Sequence, residues 1–135
     1  MKRWIFGFLL STILAHAAAP QLDYDPTLLL PDGSESLVPE ACPVPRGFLE
    51  PLEAKGWASD CILAHGDPLV LERALVLALE KAGYQRLVRE EQRLSEQDRF
   101  VLERWRGAER ELFIQYFFFP AQGVVVYLIS HPPHR

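Results

Sequence analysis

Cys42 and Cys61 are the two cysteines of the chain, and His65 follows the second by four residues. A cysteine with a histidine at hand can become a thiolate nucleophile. Two cysteines in an oxidising compartment usually pair instead. Closing a loop of this length contributes roughly 3 kcal/mol, and a paired Cys61 has no thiolate to offer. A Cys42–Cys61 disulfide is therefore expected, and no catalytic residue is assigned.

His131 and His134 flank Pro132-Pro133 and could, with His65 or Cys61, make up a metal-ligand set. Histidines in a terminal proline-rich tail read more simply as solvated, so neither a metal nor another cofactor is expected. His65 with Asp67 has the make-up of an acid–base pair, but helix capping accounts for Gly66-Asp67-Pro68. Glu90 and Glu91 adjoin on a strand, where neighbours point to opposite faces and cannot act together. The sequence holds no serine in a nucleophile elbow, no phosphate-cradling glycine loop and no dinucleotide fingerprint. The expectation is a small exported, non-enzymatic binding or assembly module of the bacterial envelope. The alternative is a small periplasmic enzyme or enzyme inhibitor working through the His65/Asp67 or His131/His134 region.

Arg86, Arg89, Arg93, Arg99, Arg104, Arg106 and Arg110 form the densest cationic region, with Glu90, Glu91, Glu96, Asp98, Glu103 and Glu109 interleaved. Cross-strand ion pairing on the wet end of a sheet accounts for such a mixture. A docking surface for an acidic partner, or for the chain's own acidic half, is the other use. Residues 18–67 carry nine acids against two bases, and residues 68–135 nine against ten. The whole chain has net charge −4. An acidic protein does not gather the nucleic acid backbone around itself, so nucleic acid is not expected as a partner. The chain has no Asn, and Arg outnumbers Lys eleven to three. Heat adaptation and a GC-rich genome both produce that bias.

The first 19 residues set the address. Lys2 and Arg3 precede an apolar run from Trp4 to Leu14, and Ala15-His16-Ala17 supplies small residues three apart. This is a secretory signal peptide over residues 1–17, too short in its apolar run to span a membrane. Cleavage after Ala17 leaves 118 residues with 12 bases and 18 acids. That product is expected to be periplasmic or extracellular, with no integral membrane segment.

The elements that must position these residues are legible in the pattern. Residues 18–47 contain six prolines and read as an extended arm, partly packed through Leu28-Leu29-Leu30 and Leu37-Val38. Residues 48–135 form the domain. Glu50 to Gly56 suits one helical turn, and Trp57 to Gly66 reads as irregular. Asp67 caps a helix that Gly83 closes, with Leu71, Ala74, Leu75, Ala78, Leu79 and Ala82 on one face. Leu69 and Val76 form a small apolar stripe among the charges opposite. Four strands follow: Tyr84 to Gln92, Arg99 to Arg106, Glu109 to Phe119 and Val124 to Ser130. Ser95-Glu96-Gln97-Asp98 could instead cap a helix through Trp105. The strand is preferred, because Phe100, Val101 and Trp105 make no wide helical face. The fold class is α+β: one central helix on a four-stranded antiparallel meander, preceded by the arm. The order of elements is similar to that of cystatin-like inhibitors, whose Gln-x-Val-x-Gly hairpin is absent here.

The last two strands are apolar on both faces, and one helix covers only one of them. The second face therefore calls for the arm, a second subunit or a ligand. Phe113, Phe117, Phe119 and Tyr127 are assigned to that outer face as the partner-binding set. Ala74, Ala78 and Ala82 would then approach Val124 and Val126. On this reading the chain binds a protein partner, or itself, through the sheet, and Phe117→Asp abolishes the contact with the fold intact.

Overall fold

A computed structural model of the protein describes residues 22, 24–96 and 98–133. The expected signal segment, its cleavage point and His134 lie outside the described residues. The fold is α+β with one sheet of six antiparallel strands, not four. In chain order these are β1 (Ser34–Leu37), β2 (Ala58–His65), β3 (Gln85–Arg93), β4 (Arg99–Gly107), β5 (Arg110–Phe119) and β6 (Val124–His131). A one-turn helix, α1 (Glu50–Ala54), precedes β2, and α2 (Pro68–Lys81) follows it. The strand order is β1-β2-β6-β5-β4-β3. The expected meander β3–β6 is present, and α2 carries the chain from β2 to the far edge at β3.

The two extra strands come from segments whose composition conceals them. Ala58, Ser59 and Asp60 are poor strand formers, so Trp57 to Gly66 reads as irregular. In the structure β2 pairs with β6 over its whole length, from Ala58 against His131 to His65 against Val124. Tertiary pairing overrides local preference there. β1 is a four-residue edge strand held between Pro31 and Pro39, within what proline can tolerate. Its partner is Cys61–Ala64 of β2.

The helix forms where its caps predict. The Asp67 side chain accepts from the Leu69 N–H at 3.3 Å, and Pro68 takes the first turn. Gly83 closes it at φ 95°, and the Tyr84 N–H returns to the Leu79 carbonyl at 3.0 Å. A side chain at that φ would be strained, which is why the exit is glycine. The alternative helix after Ser95 does not form. The Ser95 hydroxyl instead accepts from the Asp98 N–H at 3.1 Å, and this turn leads β3 into β4.

Two apolar cores lie on the two faces of the sheet. Leu71, Leu75 and Leu79 of α2 pack on Ile62, Val101, Trp105, Ile114, Tyr116, Val125 and Tyr127. Leu22, Tyr24, Leu28 and Leu30 complete that layer, so the start of the arm packs beside the helix. On the other face Val44 and Leu49 cover Cys61, Phe100, Phe117, Val126 and Leu128, with Phe48 packed alongside. The chain before β2 therefore covers both faces, with β1 at the edge between its two halves. Val126 belongs to this second layer, so Val124 and Val126 are not the surface that α2 approaches. Val125, Tyr127 and Ile129 are.

Candidate functional site

The four residues assigned to an outer patch do not share one. Register pairs Tyr127 with Tyr116 on the helix side of the sheet, and both are fully buried there. Strand alternation puts Phe113, Phe117 and Phe119 on the other side. Phe117 is sealed: its ring meets Phe48 edge-on at 4.9 Å and Phe100 at 5.1 Å. It retains 1% exposure, so an aspartate here would sit in the core rather than at a surface. Phe113 and Phe119 are half-buried and stand six residues apart, with buried Gln115 and Phe117 between them.

Cys42 and Cys61 form the expected disulfide, with Cα atoms 6.1 Å apart. It ties the segment that covers Phe117 to β2, and it removes Cys61 from the possible nucleophiles. The histidines are not gathered. His65 ends β2 and His131 ends β6, and the antiparallel register sets them at opposite ends of the pair. Seven strand residues separate the two levels, about 23 Å. His131 stacks on Tyr24 at 4.1 Å, and Asp67 is the cap of α2. Among the described residues no three His, Cys, Asp or Glu side chains are grouped to hold a metal ion.

The arginine region is largely paired across strands. Arg99 meets Glu91 at 3.1 Å, and Arg104 meets Glu111 at 3.1 Å. Arg89 reaches from β3 to Glu72 of α2 at 2.9 Å. One acid of the arm also docks on the Arg-bearing half. Buried Asp25 accepts from the Thr27 hydroxyl, from the Tyr84 hydroxyl at 2.8 Å and from the Thr27 N–H at 3.0 Å, with Arg110 at 3.9 Å. Burial pushes its carboxyl up, but these hydrogen bonds and Arg110 outweigh it and hold the group below the usual value.

Glu103 is the polar centre that sequence reasoning placed among surface ion pairs. It is fully buried on β4. Oε1 accepts from Trp105 Nε1 at 2.8 Å and from the Tyr116 hydroxyl at 2.7 Å. Oε2 accepts from Arg86 at 3.0 Å and faces Arg89 at 3.6 Å. Burial raises the Tyr116 hydroxyl well above its ordinary pKa, and the Glu103 charge raises it further. The signal was present: Val101, Glu103 and Trp105 alternate on one face, so a glutamate between two core residues had to face inward. With every donor on it supplied by the chain itself, the cluster anchors β3, β4 and β5 to one another.

Val38, Leu87 and Leu94 are exposed singly, and the exposed apolar side chains that group on one element lie on α2. Leu69, Val70 and Leu77 of α2 are 62%, 62% and 59% exposed, and Leu29 of the arm is 57% exposed. Two grooves flank the Leu77 side chain. One, of about 620 Å³, runs between α2 and the arm along Thr27, Leu29, Ala74 and Ala78. The other, of about 310 Å³, lies along Leu69, Arg73 and Val76. The sequence carries half of this signal in the Leu69/Val76 stripe. Val76 turns partly inward onto the core, and Leu77 and Val70 take its place in solvent. Among the described residues no helix is long and apolar enough to cross a membrane. Comparison of the chain with known protein families, with characterised proteins and with solved structures found no match.

Proposed function

We propose that this protein is an exported, non-enzymatic binding or assembly module of the bacterial envelope, and that it docks through the outer face of α2. The observation that carries the reading is the grouping of Leu69, Val70 and Leu77 on one helix, with Leu29 across the adjoining groove. Single exposed leucines are ordinary, but several on one rigid element, bordered by grooves, mark an interaction surface. The helix is held by Leu71, Leu75 and Leu79 beneath and by the Arg89–Glu72 pair at its side. Its outer face is therefore presented without a backbone ordering cost on binding. The sheet aromatics do not supply an equal surface, because Phe117 lies under Phe48.

The disulfide and the N-terminal leader pattern support export, where a crosslink of this kind persists. A photo-crosslinking residue placed at position 77 tests the reading, with position 90, exposed on β3, as the control. In cells exporting the protein, position 77 is expected to yield a discrete crosslinked product and position 90 none. Equal labelling from both positions, or none from 77, would count against the helix face.

A further inference from the structure

We infer that the occupant of the outer α2 face is a second copy of this chain, packed with its own α2 antiparallel to the first. This rests on the reading of that face as a docking surface and commits it to one partner.

Charged side chains lie among the apolar ones on this face. Arg73, Glu80 and Lys81 are exposed on α2 and make no ion pair among the described residues. Arg73 and Glu80 stand seven residues apart, about two helical turns, and so share one face of α2. In an antiparallel two-fold pair, a residue of one copy faces a fixed residue of the other. With the axis between Val76 and Leu77, Arg73 of each copy faces Glu80 of the other, so the two-fold repeats one attractive pair. Leu77 of each copy then lies over Val76 of the other, against the groove along Leu69 and Arg73.

Other arrangements lose this match. A parallel pair in register sets Arg73 against Arg73. Centring the antiparallel pair on Leu77 sets Arg73 against Lys81, and centring it on Arg73 sets the two arginines together. Like charges facing each other disfavour those registers. Arg73 and Glu80 cancel, so the centre of this strip is neutral on an otherwise acidic protein. A 14-residue helix is about 21 Å long, and its strip is small against the roughly 800 Å² per partner of stable complexes. The dimer is therefore expected to be weak and concentration-dependent.

Charge swaps test the register. The purified protein is followed by sedimentation equilibrium over roughly 5 to 500 μM. The parent is expected to move from monomer toward twice the monomer mass. Arg73→Glu and Glu80→Arg, each alone, are expected to stay monomeric, with unchanged circular dichroism because both sites are exposed. An equimolar mixture of the two variants is expected to associate again. In the mixed dimer the introduced glutamate of one copy faces the introduced arginine of the other, and the native Glu80 of the first faces the native Arg73 of the second. A parent that is monomeric throughout would overturn the second copy as occupant. In that case a crosslink from position 77 to a different protein would leave the docking face standing. A mixture that fails to associate while the parent dimerises would overturn the register.

Discussion

Removing the Glu103 carboxylate should be the most costly single polar change in this protein. Its two oxygens accept three hydrogen bonds and face the Arg89 cation, and these four groups differ in what they lose. Trp105 and Tyr116 are 1% and 0% exposed, so neither can recover its hydrogen bond from water. An unsatisfied buried donor costs about 1–3 kcal/mol. The Arg86 and Arg89 side chains keep 41% and 33% exposure and can rehydrate. Their pairs with Glu103 are therefore worth no more than about 1 kcal/mol each. Glu103→Ala should lose about 3–5 kcal/mol, the range found when one partner of a buried pair is removed. Glu103→Gln keeps one accepting oxygen and should lose about half of that. Arg86→Ala should lose no more than about 1 kcal/mol. Tyr127→Phe is the internal control, because the Tyr127 hydroxyl is buried with no hydrogen-bond partner among the described residues. Its removal should be neutral or slightly stabilising. Urea unfolding followed by tryptophan fluorescence reads the series, with a constant slope as the sign that only stability has changed. If Arg86→Ala costs as much as Glu103→Ala, or if Glu103→Ala costs under about 1 kcal/mol, the buried donors are not what the carboxylate holds.

Three further outcomes follow from the geometry. Cys42→Ser should lower stability by about 2–4 kcal/mol, and the oxidised parent should show no titratable thiol when denatured; two thiols would contradict the crosslink. Asp25 has a folded pKa below its ordinary value of 3.8, so the stability it contributes is present above that value and lost as pH falls through the lower folded one. Asp25→Asn should flatten that acid limb of the urea midpoint, and an unchanged slope would remove Asp25 from the docking of the arm. Phe117→Asp should unfold the protein or leave it without a cooperative transition, whereas Phe113→Asp should cost about 1 kcal/mol or less; a folded Phe117→Asp variant would show that Phe48 does not seal that face.

How much was readable before the structure depended on whether the signal was local. The caps at Asp67 and Gly83, with Leu71, Leu75 and Leu79 between them, set α2 to within about two residues. The four meander strands fell within about one residue of their observed bounds. The need to cover both sheet faces was also legible, from strands apolar on each side. β2 was not, because Ala58-Ser59-Asp60 takes its conformation from eight pairings with β6. Nor could the sequence tell that the chain before β2 divides, Leu22 to Leu30 to one face and Val44 to Leu49 to the other. That division depends on where β1 joins the edge. Size groups Tyr127 with the outer phenylalanines, but the register that sets it opposite Tyr116 places it on the helix side. The docking face was half visible in Leu69, and only the rotation of α2 on the sheet decided between Val76 and Leu77.

The most direct test is a dilution series of amide NMR spectra from the parent protein. Exchange between monomer and dimer moves the resonances of groups at the contact and leaves distant ones in place. Concentration-dependent shifts are expected at Leu69, Arg73, Leu77 and Glu80, with Phe113, Phe119 and the β3 amides unmoved. Shifts centred on Phe113 and Phe119, or none anywhere, would contradict it.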